Sequence, residues 1–162
     1  MANLLKQQRD ELLRQAFNEN PNLENGKRFC GIIALIWVLV RALDLSIEII
    51  LAITVDPVFF VPANIVALGV VIAFALGIYN GGKAYAILPI VGGGVMLLQV
   101  FLTGIYELLG SEYILGARIY ALAFILTAVV QLVLPIVLLT KSECKQYFNT
   151  VTAINKQLTQ KK

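Results

Sequence analysis

The sequence predicts an all-α integral membrane protein: an antiparallel bundle of four transmembrane helices, with an amphipathic cytoplasmic helix at each end. Three observations lead there. Of 162 residues, 59% are hydrophobic and only 14% charged, with a mean hydropathy of +0.80, whereas a soluble domain carries roughly 25% charge. The apolar residues fall into four long runs rather than many short amphipathic ones. The Lys and Arg residues are sorted between the segments that flank those runs.

Residues 3–17, NLLKQQRDELLRQAF, open with Asn3 as the expected N-cap. Leu5, Leu12, Leu13, Ala16 and Phe17 fall on one arc with the charges opposite. Such a helix lies on the inner leaflet or packs on the chain's own C-terminal tail. Residues 18–26, NENPNLENG, hold Pro21, Gly26 and four asparagines, the composition of a turn-rich linker. Lys27 and Arg28 then mark the membrane surface, so residues 1–28 read as a cytoplasmic leader. No small-residue cleavage pattern follows the first apolar run, and no cleavable signal peptide is expected.

The expected spans are 29–55, 59–79, 84–106 and 114–140. At about 1.5 Å per residue each can cross a hydrocarbon core of roughly 30 Å. The connections are short: DPV with nearby Pro62, then NGGK, then ELLGSEY. Short links force successive helices to lie antiparallel and adjacent, making 29–140 one bundle. Five basic residues precede the first span (Lys6, Arg9, Arg14, Lys27, Arg28), Lys83 lies in the second loop, and five follow the last span (Lys141, Lys145, Lys156, Lys161, Lys162). The first and third loops carry none and hold Asp56, Glu107 and Glu112. This split puts both termini and the second loop in the cytoplasm, with the inner cell (plasma) membrane as the expected location.

The tail, 141–162, steps by 3, 4, 3 and 4 residues through Cys144, Tyr147, Val151, Ile154 and Leu158, which makes a narrow apolar seam. It is too short for a coiled coil, so it packs on the N-terminal helix or in the headgroup layer. Its basic residues favour anionic lipid at the cytoplasmic face.

One stretch breaks the apolar pattern. RALDLSIE places Arg41, Asp44 and Glu48 on one helical face in the middle of the first span. Facing lipid, each charge would cost roughly 2.5–3.5 kcal/mol, so the face must turn to other helices, water or a ligand. Cys30, Ala34, Trp37 and Ala52 share it, while Ile32, Ile36, Leu39, Leu43 and Ile50 lie opposite and face lipid. Depth along antiparallel spans puts Glu48, Asn64 and Arg118 near one level, Gln99 near Asp44, and Gln131 near Arg41. The expected pairs are Arg41 with Asp44 inside the helix and Glu48 with Arg118 between helices, with the three amides filling the remaining hydrogen bonds. An alternative is a substrate or proton site, since a desolvated carboxylate can exchange a proton with a solute.

Small residues are the second signal. Gly69, Ala73, Gly77 and Gly81 recur every four positions, a stripe expected to serve close helix packing within the chain or between copies. Gly92, Gly93 and Gly94, after Pro89, are expected to weaken or kink the third span, and Pro135 the fourth.

The chemistry of an enzyme is missing from the pattern. There is no histidine, Ser46 and Ser111 have no base, and the carboxylates lack metal-ligand spacing. Cys30 and Cys144 both fall on the cytoplasmic side, where no structural disulfide is expected. No cofactor and no nucleic acid is implied. The expectation is a non-enzymatic membrane component or accessory subunit acting through helix packing or self-assembly, with the lipid bilayer and a second copy or another membrane protein as partners. The alternative is a small transporter or channel for an ion or small solute, using the Arg41, Asp44 and Glu48 face.

Overall fold

The computed structural model describes residues 2–103 and 114–160, and the side chains of 6–98, 115–116 and 118–160. Within these it is 92% helical and has no strands. Six α-helices lie in the described residues: α1 (Ala2–Glu19), α2 (Pro21–Thr54), α3 (Ala63–Tyr79), α4 (Ala84–Thr103), α5 (Ile114–Thr140) and α6 (Ser142–Gln160), with a 3-10 turn at Pro57–Phe59. Among the described residues, three stretches are long and apolar enough to cross a membrane: Pro21–Thr54, Pro57–Tyr79 and Arg118–Thr140. Ala84–Leu98 is apolar but shorter. The ELLGSEY loop with Glu107, Ser111 and Glu112, the end of the 84–106 span, and Lys161 and Lys162 lie outside the described residues.

The expected linker at 18–26 is a correction. The chain breaks only at Asn20, and α2 runs unbroken for 34 residues, roughly 50 Å. Pro21 sits in the first turn of α2, where its missing N–H costs nothing, and the Asn20 side chain accepts from Asn22 N at 3.1 Å. Residues with turn composition are therefore acting as a helix start. Leu23 and Gly26 are buried, so tertiary packing carries the helix through the polar leader. α1 likewise begins at Ala2, which puts Asn3 inside the helix rather than at its cap.

α2 is the hub. It packs on α3, α5 and α6, while α4 packs mainly on α5, and α1 lies on α6 and α2. The larger core holds Cys30, Trp37, Ile78, Leu138, Tyr147, Phe148 and Val151, where α6 and the start of α2 meet the turn between α3 and α4. That end is stitched by polar contacts across the elements. Tyr147 Oη donates to Tyr79 O at 2.7 Å, and Arg9 Nη2 donates to Asn80 O at 2.9 Å. Gly81 turns the chain there with φ of 82°, and a Cβ on it would collide with Val151, so both backbone and space require glycine.

α4 is helical through Gly92, Gly93 and Gly94, with no unwound turn there. Gly93 is a contact point: a Cβ there would lie 2.9 Å from Leu132 Cγ and 3.2 Å from Ala128 O of α5, so the glycine lets its neighbour's backbone approach.

Candidate functional site

The face of α2 named by the charges is the inward one. Cys30, Ala34, Trp37, Arg41, Asp44 and Glu48 are all buried, with Glu48 at 0% exposure, and Ile32, Ile36, Leu39, Leu43 and Ile50 are exposed on the other side. The period of 3.6 residues sorts one from the other.

Arg41 and Asp44, one turn apart, form an ion pair buried from solvent. The second guanidinium nitrogen, Nη2, donates to Asn64 Oδ1 at 2.6 Å, and Asn64 Nδ2 donates to Glu48 Oε1 at 2.6 Å. An amide is the side chain that offers an acceptor and donors together, so Asn64 joins a cation to an anion and links α3 to α2. Its position follows from the tight connection before it. Asp56 Oδ1 accepts from Val58 N at 2.8 Å to start the 3-10 turn, Pro62 opens α3, and Asn64 N donates to Val61 O at 2.9 Å. Asn64 thus enters in the first turn of α3, beside the end of α2 where Glu48 lies.

Two carboxylates face one guanidinium in this cluster. Asp44 Oδ1 and Glu48 Oε2 have no hydrogen-bond partner among the described residues. Tyr120 of α5 lies within electrostatic range of Glu48, Asp44 and Arg41, and its ring packs 6.1 Å from that of Phe59. Trp37, one turn before Arg41, is buried with its indole nitrogen also unpartnered. Neither aromatic was selected by the charge pattern. Trp37 was legible as a member of the inward face, whereas Tyr120 carried no signal in its own segment.

Arg118 does not join. It is exposed, and no ion pair links it to Glu48. Equal depth was the wrong criterion, because azimuth decides: Arg118 shares the outward face of α5 with Leu115, Ile119 and Leu122, while Gly116, Tyr120 and Thr127 turn inward. Gln131 is not a partner of Arg41 either. Its amide nitrogen packs over Gly92, 2.9 Å from where a Cβ would stand, so it serves the contact between α4 and α5. The Gln99 side chain lies outside the described residues.

The glycine stripe of α3 splits. Gly69 has no described atom of another element within 4 Å of its Cβ position and Ala73 is exposed, whereas Gly77 is covered by the Tyr85 ring and Gly81 lies in the turn against Val151. It is not one continuous seam inside the chain. Among the described residues no three His, Cys, Asp or Glu side chains gather where a metal ion could be held.

With one guanidinium to two carboxylates, the cluster is one positive charge short of balance and can hold a proton. No known protein-family model matches this chain, and no similar curated protein or solved structure was found.

Proposed function

We propose that this chain is a four-helix integral membrane protein of the inner cell membrane, with both termini in the cytoplasm, and that it acts without chemistry of its own as a self-assembling membrane component. The observation that carries the reading is the outer face of α2 and α3. An apolar groove with a cavity volume of about 220 Å³ runs between them, lined by Gly31, Ala34, Val38, Ile72, Leu76 and Tyr79. Beside it stand the open Gly69 and the exposed Ala73. Lipid tails are as apolar as leucine, so helices associate in a bilayer by close packing, and a small-residue face beside a groove offers that closeness. The charges face inward and are occupied with one another.

The orientation draws support from the gathering of α1, α6 and the turn at 80–83 at one end, since eleven of the thirteen Lys and Arg belong to the leader, that turn and the tail. Anionic headgroups are the lipid such an end attracts.

The test is Gly69→Leu. No described atom of another element lies within 4 Å of that Cβ position, so the fold should keep its stability while the particle in mild detergent drops from a multiple of 17.8 kDa to the single chain. A wild-type protein that is already a single chain, or an assembly untouched by the substitution, removes the reading. One observation favours transport as a second reading: the unpartnered oxygens of Asp44 and Glu48 leave room for one proton. Proton uptake by vesicles that vanishes in Glu48→Gln would select it, and uptake indifferent to that change would dismiss it.

A further inference from the structure

The sequence has two cysteines, separated by 113 intervening residues, and the fold brings them together. Cys30 lies on α2 one turn beyond Gly26, and Cys144 lies on α6 one turn before Phe148. Both are at 0% exposure in the same core. Cys144 Sγ also reaches Gly26 O at 4.0 Å.

The closeness is built in by the backbone. A Cβ on Gly26 would overlap the Glu143 carbonyl and come within 3.2 Å of Tyr147 Cβ, so α2 and α6 cross here at a separation that only glycine allows. Gly26 sits between Glu143 and Tyr147 of α6, and Cys30 and Cys144 each lie within one turn of that crossing. A tight crossing is what a disulfide between helices needs, since its α-carbons must stand roughly 4.4–6.8 Å apart. Both residues are free thiols in this structure.

We propose that Cys30 and Cys144 form a thiol–disulfide exchange site, which a low-molecular-weight disulfide of the glutathione type oxidises to a covalent link between α2 and α6. One thiol loses its proton to solvent, and its thiolate attacks the small disulfide, expelling one small thiolate and leaving a mixed disulfide. The second cysteine, deprotonated in turn, attacks the protein sulfur of that mixed disulfide and expels the other small thiolate. Two protein thiols are oxidised by two electrons, and one small disulfide is reduced to two thiols. Because both sulfurs are buried, the first attack waits on α6 lifting from α2, which the bend at Lys141 permits. The link then fastens α6 to the hub helix and closes that opening.

The experiment uses the full chain in mild detergent, incubated with oxidised glutathione. Titratable thiols should fall from two to none. The intact mass should drop by two hydrogens with no glutathione retained, and peptide mapping should find Cys30 joined to Cys144. Cys30→Ser and Cys144→Ser should each stop at a stable mixed disulfide, which shows that each sulfur is reached. A wild-type protein that retains glutathione on both cysteines overturns the proposal. So does one that keeps both thiols free while folded, or that links two chains instead of one.

Discussion

The two ends of the molecule are held together by different physics. Where α1, α6 and the start of α2 meet the turn between α3 and α4, the core is aromatic and aliphatic, with Tyr147, Phe148, Val151 and Ile78 almost wholly buried. Around the other end the described apolar cluster is small, Leu51 and Phe59 with Ile47 and Tyr120 beside it, and the helices are joined by Arg41, Asp44, Asn64 and Glu48. In water, burying a side chain such as Val151 gains roughly 1.5–3 kcal/mol, which suffices to seat an amphipathic helix. Between helices in lipid that gain is largely absent, and a polar knot or a close backbone contact must fix the register. The end rich in charge by sequence is thus packed like a soluble domain, and the charges that decide helix pairing lie in the apolar half.

The sharpest way to break this comparison is Arg41→Met. It strands Asp44 and unbinds Asn64, and should cost about 3–5 kcal/mol of unfolding stability in detergent, as for other buried pairs that lose one partner. Replacing Arg41 and Asp44 together should cost less than the two single losses combined. Additive losses would mean the pair does not hold the helices.

Tyr147→Phe tests the other end and should cost about 1 kcal/mol, the value of one hydrogen bond, here to Tyr79 O. Burial pushes the Tyr147 hydroxyl from 10 up to about 12. In the unfolded chain it ionises first, so its contribution to stability is intact below pH 10 and is lost as pH rises toward about 12. Unfolding measured across that range should show a falling limb in the wild type that is shallower in Tyr147→Phe. Equal slopes would place the hydroxyl in water.

Arg118→Gln should have the smallest effect, within about 0.5 kcal/mol, because the side chain is exposed and makes no ion pair with Glu48. Combined with Glu48→Gln it should add with no coupling. A coupling energy between the two would return Arg118 to the cluster and redraw the apolar half.

Much of α2 was legible. The inward face from Cys30 to Glu48 and the exposed Ile32, Leu39 and Ile50 follow from period and polarity alone, because a charge inside an apolar run leaves the helix one acceptable rotation. The pair Arg41 and Asp44 was equally legible, being local to one turn. The glycines were legible in part: Gly77 and Gly81 of the stripe meet Tyr85 of α4 and Val151 of α6, whereas Gly69 meets no described atom, and the close approach at Gly26 gave no spacing signal. Recurrence measures which residues share a face, and it is silent on which face another helix occupies.

What the sequence by itself determined is what depends on solvent: helical class, apolar segments, the buried face of α2 and the seam of α6 through Cys144, Tyr147, Val151 and Ile154. Transfer free energy acts residue by residue, so it can be read residue by residue. Only the tertiary structure decided which partners meet: Asn64 rather than Arg118 for Glu48, Gly92 rather than Arg41 beside Gln131, and Cys30 against Cys144 across α2 and α6. Those choices depend on the rotation of each helix about its own axis relative to its neighbour. Rotation is set by packing two surfaces together, and a single chain of letters carries only one surface at a time.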